Sequence, residues 1–219
     1  MLFADESLVI VNKPSGLLVH RGWDNDEDVM MMRVRDALGA RVNPIHRLDR
    51  GTSGALVFGL TTEATSRLSA LFANSEVSKT YLALVRGVPP AEGMVDSPVP
   101  QSEDGPRVNA LTRFRLLGTS TIDRCSLVCA TPETGRLHQV RRHLKHAGHP
   151  LLGDVNYGKG DLNRRFRELY NLHRLALHAR TISFVHPVTA ERVCAVAPVP
   201  GDLALPLDAL GLLEASSSL

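Results

Sequence analysis

An apolar run, Ala55-Leu56-Val57-Phe58, follows directly on His46-Arg47-Leu48-Asp49-Arg50-Gly51-Thr52-Ser53-Gly54, a stretch that sets one carboxylate between two arginines and then turns. The run has the length and the β-branched and aromatic content of a buried strand, so the chain must pass from a charged loop straight into a sheet. Asp49 is then expected on a loop held at the sheet edge, where a rigid scaffold keeps catalytic side chains still. Gly51 and Gly54 permit positive φ or close approach, while Thr52 and Ser53 can hydrogen-bond the turn or the carboxylate. Spacing alone leaves two readings open. Asp49 performs chemistry, or it forms a surface ion pair with Arg47 or Arg50.

Around this segment the periodicity alternates between strand and helix. Residues 8–11 read as a short strand, and Asn12-Lys13-Pro14-Ser15-Gly16 supplies a turn in which Pro fixes φ and Gly frees it. An acidic loop is expected over 24–28, then a short helix over 31–38. Ala64, Leu68, Leu71 and Phe72 recur at helical spacing. Strand character returns over 81–85, and Pro89, Pro90 and Gly93 open a predicted loop running to about residue 106. Paired strands are expected over 107–117 and 125–130, around a turn-rich 118–123. From 138 to 147 the pattern is helical, with Val140, Leu144 and Ala147 inward and His138, Arg141, Arg142 and Lys145 forming a basic face, and Gly148 ends it. Strands over 181–185 and 193–197 and a short helix between 203 and 214 complete one α+β unit without internal repeats.

The 219 residues suffice for a sizeable core, and 43% hydrophobic with 22% charged content is ordinary globular usage. With no apolar run of membrane-spanning length and no secretion signal, a cytoplasmic protein is expected. Cys125, Cys129 and Cys194 make no metal spacing and read as reduced core residues; the first two, on one predicted strand, lie about 13 Å apart, beyond disulfide reach. Formal charge is only +2, but residues 141–174 hold eight basic against three acidic side chains, +5, leaving −3 elsewhere. Such a local excess is an electrostatic footprint for a phosphate backbone.

Several separated segments then match one family. His46-Arg47-Leu48-Asp49 with Thr52-Ser53-Gly54 resembles the HRLDxxTSG motif of the RluA-type pseudouridine synthases. Asn12-Lys13-Pro14-Ser15-Gly16, Lys79-Thr80-Tyr81, Gly135-Arg136-Leu137-His138-Gln139-Val140-Arg141, His149-Pro150 with Gly153-Asp154, and Leu177-His178-Ala179 follow the family order, over about residues 2–197. The resemblance implies a single catalytic domain spanning 1–219, α+β, its mixed and mostly antiparallel sheet flanked by helices and loops around a central RNA-binding cleft. No accessory N-terminal RNA-binding domain is expected.

The implied reaction is a redox-neutral isomerisation of uridine to pseudouridine in RNA, without cofactor or metal. By carry-over Asp49 is the nucleophile, attacking the base at C6 or the ribose at C1′. Arg141 would pair with it and hold it ionised, and Tyr81 would stack on the uracil. Arg47 would fill the space left by the everted nucleotide. His46, Arg136, Arg142, Lys145, Arg164 and Arg165 are candidate substrate contacts; His138 and Gln139 share the Arg141 motif, with roles that tie helix to loop. The segments Val19-His20-Arg21-Gly22-Trp23, Arg141-Arg142-His143-Leu144 and Gly160-Asp161-Leu162-Asn163-Arg164 resemble the TruC-like branch, which modifies uridine 65 of tRNA. An rRNA or dual tRNA/rRNA site is the second expectation, and no membrane or obligate protein partner is expected.

Two readings of other classes compete. His138, His143, His146 and His149 would suit a metal-dependent hydrolase, yet only His143 and His146 have the helical spacing to converge. A non-catalytic RNA-binding module would rest on the +5 segment alone and would bind RNA without Asp49.

Overall fold

A computed structural model describes residues 1–21, 28–102 and 104–217. Gly22 and Trp23 of the branch signature, and the expected acidic loop up to Glu27, lie outside the described residues. The chain forms two compact units, residues 1–79 with 179–198, and residues 80–178 with 199–219.

In the first unit, β1 (Phe3–Ala4) and β2 (Leu8–Lys13) form an antiparallel pair, α1 (Met30–Leu38) ends on Gly39 at φ +62°, and β3 (Asn43–Pro44) precedes β4 (Ser53–Gly59). β4 pairs with both β2 and β3, and all seven of its residues are buried, as expected of a strand without a solvent face. α2 (Thr62–Ala73) starts where the Thr61 side chain accepts the Ala64 N–H, and it buries Ala64 and Leu68 on the expected stripe.

The second unit takes up β5 (Ser78–Arg86) from residue 80 onward. β6 (Glu92–Asp96), β7 (Val99–Pro100) and β8 (Arg107–Val108) follow, then the long antiparallel pair β9 (Leu111–Thr119) and β10 (Cys125–Pro132). The expected loop over 89–106 is therefore corrected: β6 pairs with β9, and β7 with β8. β6 escapes pattern recognition because only Val95 is buried and Gly93 lies flat on Phe114, where an added Cβ would come within 2.2 Å of the ring.

α3 (Gln139–His146) and α4 (Gly160–Tyr170) come next. α4 was not anticipated: it buries Asn163 and Phe166 and closes on Asn171 in the left-handed region, φ 57°, beneath a dense cover of arginines. β11 (Leu177–Val185) carries the chain back into the first unit, where it pairs with β12 (Arg192–Val196), and α5 (Gly201–Ala209) ends in the second. Cys125 and Cys129 are buried thiols, but Cys194 is exposed on the outer face of β12, contrary to its reading as a core residue. Strand alternation explains it, since Val193 and Ala195 take the inward positions.

Each unit has its own core. In the first, Leu8, Ile10, Val57, Leu68, Ile182 and Phe184 pack together. In the second, Leu82, Leu127, Phe166 and Leu207 belong to one cluster, and Val85, Val128, Val140 and Leu144 to another.

Candidate active site

Asp49 is half-buried in the turn that leads into β4. The Thr52 N–H donates to the Asp49 carbonyl at 3.0 Å, Gly16 N–H to the Arg50 carbonyl at 2.8 Å, and Ser15 Oγ to the Gly51 carbonyl at 2.8 Å. Arg50 Nε returns a bond to the Gly16 carbonyl at 3.0 Å. Beneath both turns lies Lys13, 0% exposed, whose Nζ donates to the carbonyls of Leu17 at 2.7 Å, Pro14 at 2.9 Å and Arg50 at 3.3 Å. A buried ammonium aimed at three carbonyls is a tie between segments, so the NKPSG turn and the Asp49 turn hold each other.

The residues before Asp49 divide by role. His46 Nε2 accepts the β4 N–H of Val57 at 3.2 Å, and its ring stacks on Phe72 of α2 with centroids 4.6 Å apart. Removal from water, with the charge of Lys79 adding to it, pushes His46 down to about 3, which fits an accepting, neutral imidazole. Burial likewise lowers Lys79, whose Nζ lies 5.8 Å from the Phe72 ring centroid. Arg47 is exposed, and its side chain has no hydrogen-bond or ion-pair partner among the described residues.

In the second unit the basic face expected on α3 is split. Arg141 is buried, 6% exposed, and its Nε and Nη2 reach Asp154 Oδ2 at 2.8 Å and Oδ1 at 2.9 Å. Two carboxylate oxygens matched by two parallel N–H groups fix the guanidinium plane as well as its position. Asp154 Oδ1 also accepts the N–H groups of Asn156 and Tyr157, each at 3.0 Å. Burial opposes its ionisation, but the hydrogen bonds and charge of Arg141 and the two N–H groups outweigh this and hold the carboxyl below its ordinary range. The loop is backed by α4, where Asn163 accepts the Gly153 N–H at 3.0 Å and donates to the Asp154 carbonyl at 2.8 Å.

Tyr157 collects the remaining α3 cations. The guanidinium carbons of Arg141 and Arg142 lie 4.9 and 5.1 Å from its ring centroid, and Lys145 Nζ lies 5.6 Å away. Its phenol hydrogen-bonds His138 Nδ1 at 2.9 Å, and His138 takes the left-handed conformation, φ 52°, that starts α3.

Gln139 and His143 have structural assignments. Gln139 Oε1 accepts from Thr134 Oγ1 and the Arg136 N–H, and Nε2 donates to the Leu111 carbonyl and Thr112 Oγ1. Thr112 Oγ1 lies 2.8 Å from His143 Nδ1, and His143 Nε2 lies 2.9 Å from the Ser97 carbonyl. A carbonyl can only accept, so Nε2 carries the proton; desolvation lowers the His143 pKa and keeps the ring neutral. His149 Nδ1 lies 3.0 Å from the Arg86 carbonyl. No group of three or more His, Cys, Asp or Glu converges among the described residues.

Elsewhere the +5 segment is less available than its count implies. Arg174 is buried, bonding Asp202 and the carbonyls of Leu175 and Leu177. Arg165 binds Asp123, which also accepts from the Tyr170 hydroxyl at 3.0 Å, while Arg164 is exposed 3.8 Å from Asp161. Arg136 is exposed, and Tyr81 is half-buried on β5 opposite Ala130. Asp49 thus belongs to the first unit, and Tyr81 and Arg141 to the second.

Lys13, Asp154 and Tyr157 were not read as site residues. Their signal was present, since Lys13 and Asp154 sit in segments that match the family, but no local pattern says which backbone groups or cations they hold.

Residues 7–146 match the family model described as RNA pseudouridylate synthase. The chain is 40% identical to the tRNA pseudouridine synthase C of Vibrio cholerae serotype O1 over 87% of each chain, and 40% identical to that of Pasteurella multocida over 91% of this chain and 90% of the relative. Among solved structures, human RNA Pseudouridylate Synthase Domain Containing 4 superposes with a TM-score of 0.77 at 28% identity, covering 96% of this chain and 92% of the other.

Proposed function

The chain belongs to the RNA pseudouridylate synthase family, and on that premise we propose that it isomerises uridine 65 of tRNA to pseudouridine in the cytoplasm. The observation that carries the choice of RNA is the 40% identity, along 87% of both chains, to a protein named tRNA pseudouridine synthase C. The family's reaction breaks the N1–C1′ bond of uridine and makes a C5–C1′ bond; the C5 proton leaves and N1 gains one, so no electrons are exchanged.

Asp49 is the nucleophile in this reading. A carboxylate suits the task because it can form a covalent intermediate and still depart. The tight turn supports the assignment: its hydrogen bonds to Thr52, Gly16, Ser15 and Lys13 fix the backbone at and after Asp49, so little freedom is lost when the side chain meets its target. By the family pattern Arg141 is the cation that partners Asp49, and Tyr81 supplies the ring on which the uracil rests. Arg47, exposed and without an acceptor among the described residues, is suited to the gap that an everted nucleotide leaves. His46 acts by anchoring the turn to Val57 and Phe72.

Asp49→Ala is expected to abolish pseudouridine formation on a tRNA transcript while changing RNA affinity by less than about threefold. Turnover by this variant would overturn the mechanism. Pseudouridine mapping of total RNA with and without the gene reads the target directly, and an unchanged position 65 with a lost site in rRNA would overturn the choice of substrate.

A further inference from the structure

The three cations around Tyr157 are not equivalent. Arg141 has its carboxylate in Asp154. Arg142 and Lys145 have neither a carboxylate nor a side-chain hydrogen-bond acceptor among the described residues, and Arg142 Nε is sealed from water without a partner. They sit three residues apart on α3, so both face the same side of the helix. The π face of Tyr157 holds them there, and Tyr157 is itself pinned by its N–H to Asp154 Oδ1 and its phenol to His138. Two positive charges gathered on one ring repel each other and gain from an anion that reaches both.

We infer that Arg142 and Lys145, presented on the Tyr157 ring, form a phosphodiester-binding subsite for the RNA backbone. The inference rests on RNA being the substrate and adds a location and a ligand group to that reading. Phosphate contact carries no base identity, so the subsite positions the strand without selecting the uridine. Asp154 serves it indirectly, by fixing the guanidinium plane of Arg141 and the turn that carries the ring.

The test is the salt dependence of binding to an unmodified tRNA transcript by the full chain. Replacing both cations, Arg142→Gln with Lys145→Gln, should reduce the slope of log K against log salt by about 0.7 to 0.9, the value for one phosphate contact. KM for pseudouridine formation should rise by roughly tenfold at low salt, with kcat at saturating RNA altered much less. Tyr157→Phe keeps the ring and should keep the slope; Tyr157→Leu removes the ring and should lower it toward the double variant. An unchanged slope in the double variant overturns the subsite, whatever the enzyme's activity. Should Tyr157→Leu fail to fold, the two Gln substitutions carry the test unaided. A steep slope in wild-type protein that makes no pseudouridine would leave the subsite standing and remove the proposed function instead.

Discussion

Arg141 and Asp154 share a bidentate contact out of water, Nε to Oδ2 at 2.8 Å and Nη2 to Oδ1 at 2.9 Å, with the carboxylate side chain 0% exposed. The pair converts a helix-surface position into a buried one, because the arginine finds a buried carboxylate partner thirteen residues later in the chain.

Asp154→Asn leaves Arg141 buried beside a neutral amide. Breaking one side of a buried pair costs about 3–5 kcal/mol, so thermal unfolding should show a loss of that order. kcat should fall by roughly a hundredfold or more, since the guanidinium loses its fixed plane. In an Arg141→Lys background the same substitution should cost little further kcat; independent, multiplying effects would show that Asp154 does not act through Arg141.

Acid should weaken the fold in two windows. His46 has its pKa lowered from 6.5 in the unfolded chain to about 3 in the folded protein, so the unfolded state binds the extra proton. Its stabilisation is complete above pH 6.5 and is lost as pH falls toward 3, at up to about 1.4 kcal/mol per pH unit. Asp154, also lowered, contributes above 3.8 and loses its share only below that value. Denaturant titrations from pH 7 to 4.5 should therefore show a steep loss for wild type and a shallower one for His46→Gln, in which His143, also lowered, still contributes; equal slopes would remove His46 as a source.

Lys13→Met should cost roughly 2–4 kcal/mol, by leaving the carbonyls of Pro14, Leu17 and Arg50 without their charged donor. Lys13→Arg should not restore it, because a planar fork cannot aim at three converging carbonyls as an ammonium does. In the fraction that folds, kcat should drop more than RNA affinity, since the Asp49 turn loses its tie.

Gly54→Ala places a Cβ within 2.2 Å of the Ala179 carbonyl oxygen at φ +117°. The backbone must move, and a loss of about 3 kcal/mol or more is expected. Gly148→Ala is the control: φ is +85° but nothing lies within 4 Å of its Cβ, so only the left-handed backbone cost of about 1 kcal/mol should appear in the melt.

Legibility in the sequence followed how local each cause is. β4 was readable because four apolar residues in a row admit few alternatives, and α2 because Ala64 and Leu68 repeat on one face. β6 was hidden because an edge strand with one buried residue lacks alternation, and α4 because its arginines mask the Asn163 and Phe166 stripe. The helical periodicity of α3 gave Val140 and Leu144 correctly but set Arg141 on an outward basic face and left His143 unassigned; their burial depends on Asp154, Thr112 and Ser97, outside the helix. Motif order pointed to the neighbourhoods of Lys13 and Asp154, whereas their work is done on distant backbone groups that no spacing encodes.

The turn after Asp154 is secured through main-chain amides, and this separates its architecture from its outward chemistry. Val155, 83% exposed, and exposed Asn156 contribute backbone to the turn while their side chains face solvent. Those two positions can be exchanged without loosening the arginine behind them, so an enzyme of this build could acquire a new preference for RNA shape by rewriting a dipeptide and leaving its reaction untouched.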